Sequence, residues 1–118
     1  MNISDFANSF DLQLSDLESV GDLGYVEGIT KLIVDKLNSM ATYKRPIHCN
    51  DAKREILYVK DNDKWEREEQ NNPKLRNAIK TIYSHNVYTD SKDCDSHENE
   101  NKIIRRIAKE IIIKKYFN

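Results

Sequence analysis

The sequence predicts an α+β domain, mostly helical, with one β-hairpin packed against three or more helices. Three observations carry this. Gly and Pro are scarce, 3 and 2 in 118 residues, which disfavours a turn-rich all-β fold. Apolar residues recur at intervals of three and four along three long stretches, the period of a helix face. Between the first two stretches lies "EILYVKDNDKWERE", residues 55–68, where two alternating segments flank a turn cluster. A chain of 118 residues suits a single domain over 1–118. Its parts divide into short turns or a docking arm (1–21), a helix–hairpin–helix core (22–84), a polar loop (85–100) and a basic C-terminal helix (101–118).

The first segment has irregular apolar spacing, with Phe6, Phe10, Leu12, Leu14 and Leu17. "SDLE" at 15–18 fits a capping box, Ser15 as cap and Glu18 reaching back. The next segment is regular. Val26, Ile29, Ile33, Leu37 and Met40 share one helical face, so a helix is predicted from Asp22–Gly24 to about Ala41. Gly28 inside it costs roughly 1 kcal/mol against Ala, and marks close approach by a neighbour. Pro46 stops any helical run. In 55–60 Leu57 and Val59 share one strand face, and Ile56 and Tyr58 the other. "DND" at 61–63 turns the chain, and "KWERE" returns with Trp65 as its anchor. Asn72 then caps a second helix with Pro73 at its first position; Leu75, Ala78, Ile79, Ile82 and Tyr83 form its apolar face. The last helix is predicted from about Glu100 to Tyr116. Ile103, Ile104, Ile107, Ala108, Ile111 and Ile112 line one side. Lys102, Arg105, Arg106 and Lys109 form a basic stripe on the other.

Net charge is −1, but it is unevenly laid out. Residues 1–42 hold two cations and seven acids; residues 101–118 hold six cations and one acid. The two ends attract, so they are expected to lie close in the fold or in an antiparallel dimer, unless the basic face meets an acidic partner instead. No apolar run approaches the ~20 residues of a membrane span. "MNISDFANSF" lacks the basic and apolar regions of a signal peptide. A soluble, intracellular chain is expected, with Cys49 and Cys94 reduced.

Sites of chemistry are sparse. His48, Cys49, His85, Cys94 and His97 are all the Cys and His in the chain, the ligand types zinc needs. Adjacent His48 and Cys49 side chains diverge, however, and the spacing is not that of a standard finger. The plainer expectation is a buried His48 beside a small apolar Cys49. A Cys–His nucleophile fares no better, because His48 is badly placed to activate its neighbour and no Gly-rich turn offers an oxyanion hole. Phosphate-cradling Gly motifs are absent from the sequence. No catalytic residue, metal ligand, cofactor or small-molecule site is assigned.

One long motif remains. "KRPIHCNDAKREILYVKDNDKWE" resembles a segment of proteins of mimivirus-like giant DNA viruses, of the form R-P-I-H-C-x-D-x-K-R…Y-V-K-D…W-E. The residues that carry the likeness are Arg45, Pro46, Ile47, His48, Cys49, Asp51, Lys53, Arg54, Tyr58, Val59, Lys60, Asp61, Trp65 and Glu66. "KLRNAIK" at 74–80 and the preceding "GYVEGITKLIVDKLNSM" also fit, so the resemblance covers about residues 24–82. It implies a viral origin, the cytoplasm of an infected host cell or its viral factory, and an accessory module. It implies no reaction, and the motif omits Cys94 and His97, which weakens the zinc reading further. The expected function is non-enzymatic: association with a viral or host protein, or with a second copy as a homodimer, because three apolar helix faces and an open hairpin edge exceed a minimal core. The alternative is nucleic-acid binding through Lys53, Arg54, Lys102, Arg105, Arg106 and Lys109, against which a pI near 6.3 counts.

Overall fold

Apolar spacing and capping set the helices. In the computed structural model, which describes residues 1–10, 14–51, 53–54, 56–86 and 97–111, five α-helices accompany a three-stranded antiparallel sheet. The helices are α1 (Ile3–Asn8), α2 (Leu14–Leu23), α3 (Tyr25–Asn38), α4 (Pro73–Asn86) and α5 (His97–Ile111). The strands are β1 (Ile47–Asp51), β2 (Ile56–Asp61) and β3 (Lys64–Arg67), in the order β1-β2-β3. The α+β class is as predicted. The sheet is larger than predicted: β2 and β3 are the expected hairpin, and β1 adds a third strand. "IHCND" offers only two apolar residues, Ile47 and Cys49, too few for its alternation to stand out.

α3 buries Ile29, Ile33, Val34 and Leu37 against α5, its most extensive partner. α5 answers with Ile103, Ile104, Ile107, Ala108 and Ile111, all buried. This packing joins the acidic and basic ends of the chain, and Arg106 pairs with Glu27 across it. The end of α3 is closed from outside. Arg45 donates through Nε to the Leu37 carbonyl at 2.7 Å, which also accepts from Met40 N at 3.2 Å.

The segment expected as short turns or a docking arm forms α1 and α2. α1 lies on α4 and β2, burying Ile3, Phe6 and Ala7. Lys36 of α3 holds its far end, donating to the Ser9 carbonyl at 2.9 Å while its ammonium sits 4.3 Å from the Phe10 ring centroid. Asn2 exchanges two hydrogen bonds with Asp63 in the hairpin turn. α2 starts at Leu14, one residue before the predicted cap Ser15, whose side chain lies outside the described residues. Val20 of α2 meets Gly28 of α3, the close approach expected there.

Asn62 and Asp63 both have positive φ, 51° and 64°, the two-residue turn whose twist matches a hairpin. At α4 the capping differs from expectation. Asn72 has φ 49°, a left-handed backbone in place of the extended N-cap geometry. The amides an N-cap side chain would serve are taken by Glu68, whose carboxylate accepts from Lys74 N at 3.3 Å and Leu75 N at 2.9 Å. Glu68→Ala is expected to cost about 1–2 kcal/mol, the loss of a helix cap, measured by denaturant unfolding. Burial pushes the Glu68 carboxyl up, against the lowering effect of those two amides. A raised carboxyl contributes stability below the ordinary glutamate value and loses it as pH rises through the raised one. Melting curves across mildly acidic pH should therefore show a downward slope that Glu68→Gln removes.

α5 begins at His97, earlier than predicted, with Glu98 and Glu100 in its first turn, where acids complement the helix dipole. Its predicted end, with Ile112 and Tyr116, lies outside the described residues. Among the described residues, no helix is long and apolar enough to cross a membrane.

Candidate functional site

Strand alternation sorts the motif residues. β1 pairs Ile47 with Val59, His48 with Tyr58 and Cys49 with Leu57; β2 pairs Tyr58 with Arg67 and Lys60 with Trp65. Side chains on a strand alternate between faces. Ile47, Cys49, Leu57 and Val59 therefore point together toward the helices, and all four are buried. His48, Asn50, Ile56, Tyr58, Lys60, Trp65 and Arg67 occupy the other face, and none of them is buried. The pairing makes His48, Tyr58 and Arg67 one row across the sheet, with Lys60 and Trp65 in the next.

The same alternation separates charge. Asp61 and Glu66 belong to the helix side, where both pair with Lys74 of α4, Asp61 at 3.1 Å. Glu68, next on that side, caps α4. The outer face keeps Lys60 and Arg67, and among the described side chains it has no carboxylate. Sequence charge counts hide this, because cations and acids are interleaved along the hairpin and only the pleat parts them.

His48 and Cys49 diverge as expected. Cys49 is buried in the core, but His48 is half-exposed on the open face, contrary to the buried His48 expected. Its Nε2 lies 3.2 Å from the Thr42 carbonyl. A carbonyl only accepts, so Nε2 carries the proton. The ring stacks on Trp65 at 4.5 Å between centroids and 26° between planes. Trp65, expected to anchor the return strand, is 43% exposed on this face. His48, Asn50, Tyr58 and Trp65 together line a shallow depression of about 210 Å³. No family model, curated protein or solved structure matches this chain.

A larger cleft of about 480 Å³ opens at the end of the sheet. Arg54, Arg67, Arg76 and Arg105 line it together with the carboxylates Glu68 and Glu69. Arg76 is deeply engaged: it donates to the Glu100 carboxylate at 2.9 Å, to Asn101 Oδ1 at 2.6 Å and to the Asn71 carbonyl at 3.1 Å. Arg67 belongs to both places, since it sits in the outer row and lines the cleft.

The predicted basic stripe is divided. Arg105 and Arg106 are adjacent, so they project about 100° apart around α5. Arg105 turns to the cleft and joins Arg54, as the alternative reading grouped them. Arg106 and Lys109 turn to a groove along α3, beside Glu27 and Asp35. Lys102 is exposed, and so are Lys53 and Arg54 in the β1–β2 connection. The remaining motif residues have local roles. Arg45 closes α3; the carbonyl of buried Pro46 accepts from Lys60 N at 2.8 Å. Asp51 pairs with Ile56 past a bulge, its side chain outside the described part. Of the zinc candidates, Cys94 and the side chains of His85 and His97 also lie outside it. Asn50, Arg67 and Arg76 were missed by sequence reasoning. Recognition of β1 as a strand would have found Asn50, two residues beyond His48.

Proposed function

We propose that this chain is a non-enzymatic nucleic-acid-binding module whose contact surface is the open face of the sheet, continued by the arginine cleft. The observation that supports it is the sorting of charge by the pleat: acids face Lys74 and α4, while Lys60 and Arg67 face outward beside aromatic rings. Phosphates need cations without competing carboxylates, and bases need exposed planar side chains. On the sheet itself the acids Asp61 and Glu66 are turned to Lys74 on the helix side, whereas in the cleft Glu68 and Glu69 stand beside the arginines and offset part of their charge.

The association reading drew on an open hairpin edge, of which β3 remains an edge strand, and on apolar helix faces in excess of a core. Those faces, including Ile29, Ile33, Leu37, Ile103, Ile104 and Ile107, are buried within the single chain. Taken with the resemblance over residues 24–82, the reading becomes that of a viral accessory module acting on nucleic acid in the infected-cell cytoplasm.

Salt titration of binding tests it. The two outward cations of the sheet, Lys60 and Arg67, predict a slope of about −1.4 in log affinity against log salt for a single strand. Lys60→Glu and Arg67→Glu should each weaken binding and flatten that slope by about one contact. No binding to any nucleic acid at low salt would overturn the proposal.

A further inference from the structure

We infer that the depression of His48, Asn50, Tyr58 and Trp65 seats an unstacked nucleobase, with the attached strand leaving over Arg67 into the arginine cleft, so that single strands are bound in preference to duplexes. The inference rests on the nucleic-acid reading above and adds the form of the ligand and its path.

Three of the four lining side chains are aromatic rings, and the fourth is an amide. A planar ring entering the depression meets ring faces and edges, which any base can use. Asn50 offers one acceptor and two donors to a base edge. Two of the walls are pre-set: His48 is held by the Thr42 carbonyl and by its stack on Trp65. These two rings have little freedom left to lose on binding, which favours affinity. Trp65 is the largest side chain on the sheet and contributes nothing to the core, so its exposure is unexplained by folding.

The phosphates have a continuous route. Arg67 is directly across from Tyr58, which lines the depression. Arg67 also borders the cleft that holds Arg54 and Arg105. A single strand with one base in the depression thus meets the Arg67 guanidinium at its next phosphate, and beyond it a cleft where Arg54 and Arg105 stand beside Glu68 and Glu69. A duplex keeps its bases stacked and paired, and cannot insert one without unstacking it. A free nucleotide carries the same base and phosphate but reaches only the first part of this route.

Trp65 is the chain's single tryptophan, so its emission reports this site without any substitution. The full chain is titrated at low salt with an unstructured oligonucleotide, as RNA and as DNA, with its duplex, and with a nucleoside monophosphate. The expected result is saturable quenching by a single strand of either sugar, with affinity at least about tenfold above that of the duplex and of the monophosphate. Trp65→Ala, followed by anisotropy of a labelled strand, should lose on the order of 10-fold in affinity with an unchanged salt slope; Trp65→Phe should recover most of it. Duplex and single strand bound equally, with no change in Trp65 emission, would overturn the base seat and leave the nucleic-acid reading standing. Binding unaffected by Trp65→Ala would overturn it too. Absence of binding by every probe would remove both.

Discussion

Replacing Glu100 by Gln is expected to destabilise the domain by about 3–5 kcal/mol, the cost of leaving a buried charge without its partner. Glu100 is 1% exposed along its side chain and Arg76 10%, and their ion pair is 2.9 Å long. Glu100 Oε1 takes the Arg76 donor; Oε2 accepts no hydrogen bond and faces Lys80 Nζ at 3.8 Å. With the carboxylate gone, Arg76 keeps Asn101 and the Asn71 carbonyl but loses its counter-charge, at a depth where bulk solvent screens poorly. A small domain holds roughly 5–15 kcal/mol in total, so a loss of this size should lower the melting temperature on the order of 10 °C or more. Chemical denaturation should show a lower midpoint with an unchanged slope. The double change Arg76→Met with Glu100→Leu is expected to recover most of the loss, because an apolar pair avoids the desolvation both charges incur. A Glu100→Gln variant as stable as the parent would show that this pair is hydrated in solution.

Gly28→Ala should also destabilise, by about 1–3 kcal/mol, although Ala improves helix propensity by about 1 kcal/mol. The sign is the informative part. A Cβ built at Gly28 lies 2.6 Å from Val20 Cα and 3.0 Å from Val20 Cβ and Cγ2. The nearest of these atoms belongs to the backbone, so α2 must move away from α3 as a whole. Val20→Ala would relieve the clash with Cγ2 but not the clash with the Val20 backbone, and the double variant is therefore expected to gain little. Thermal melts of the single and double variants decide this. A stabilised Gly28→Ala would mean that α2 does not press on α3 at Gly28.

Gly28 also illustrates how far the sequence could be read. A glycine inside an otherwise regular helix is costly, and close packing is the usual physical reason; the partner, Val20, could not be named. The strand pair around Asn62 and Asp63 was legible because turn chemistry and alternation coincide there. β1 was not, since its edge position needs few apolar residues and Pro46 reads equally as a helix stop. Asn72 was a sound cap by residue type, but Glu68 reaches the same amides from the preceding turn. No local pattern records that, because the residues between Glu68 and Pro73 must adopt left-handed backbone at Asn71 and Asn72 to bring it round.

The candidate site divides in the same way. Its aromatic members, His48, Tyr58 and Trp65, stand within the motif, yet by sequence they read as scaffold. Asn50 and Arg67 carry no local signal that singles them out. The basic stripe on α5 was correct as a helical face, but consecutive arginines on a helix point about 100° apart, and α3 and the sheet end captured different members of it.

Local periodicity and turn chemistry, which depend only on neighbours along the chain, were enough to specify α3, α4, α5, the hairpin and the α+β class, but not α1 and α2. The attraction between acidic and basic ends was likewise readable, since it depends on composition alone, and Arg106 with Glu27 expresses it. Tertiary structure decided which face of the sheet the described helices pack on, which charges would be turned to that side, and which cations would share a cleft. Those outcomes follow from pairing register and from which helix covers which strand. They are set by interactions between residues tens of positions apart, such as Arg76 with Glu100 and Asn2 with Asp63, and the sequence order of charges carries no record of them.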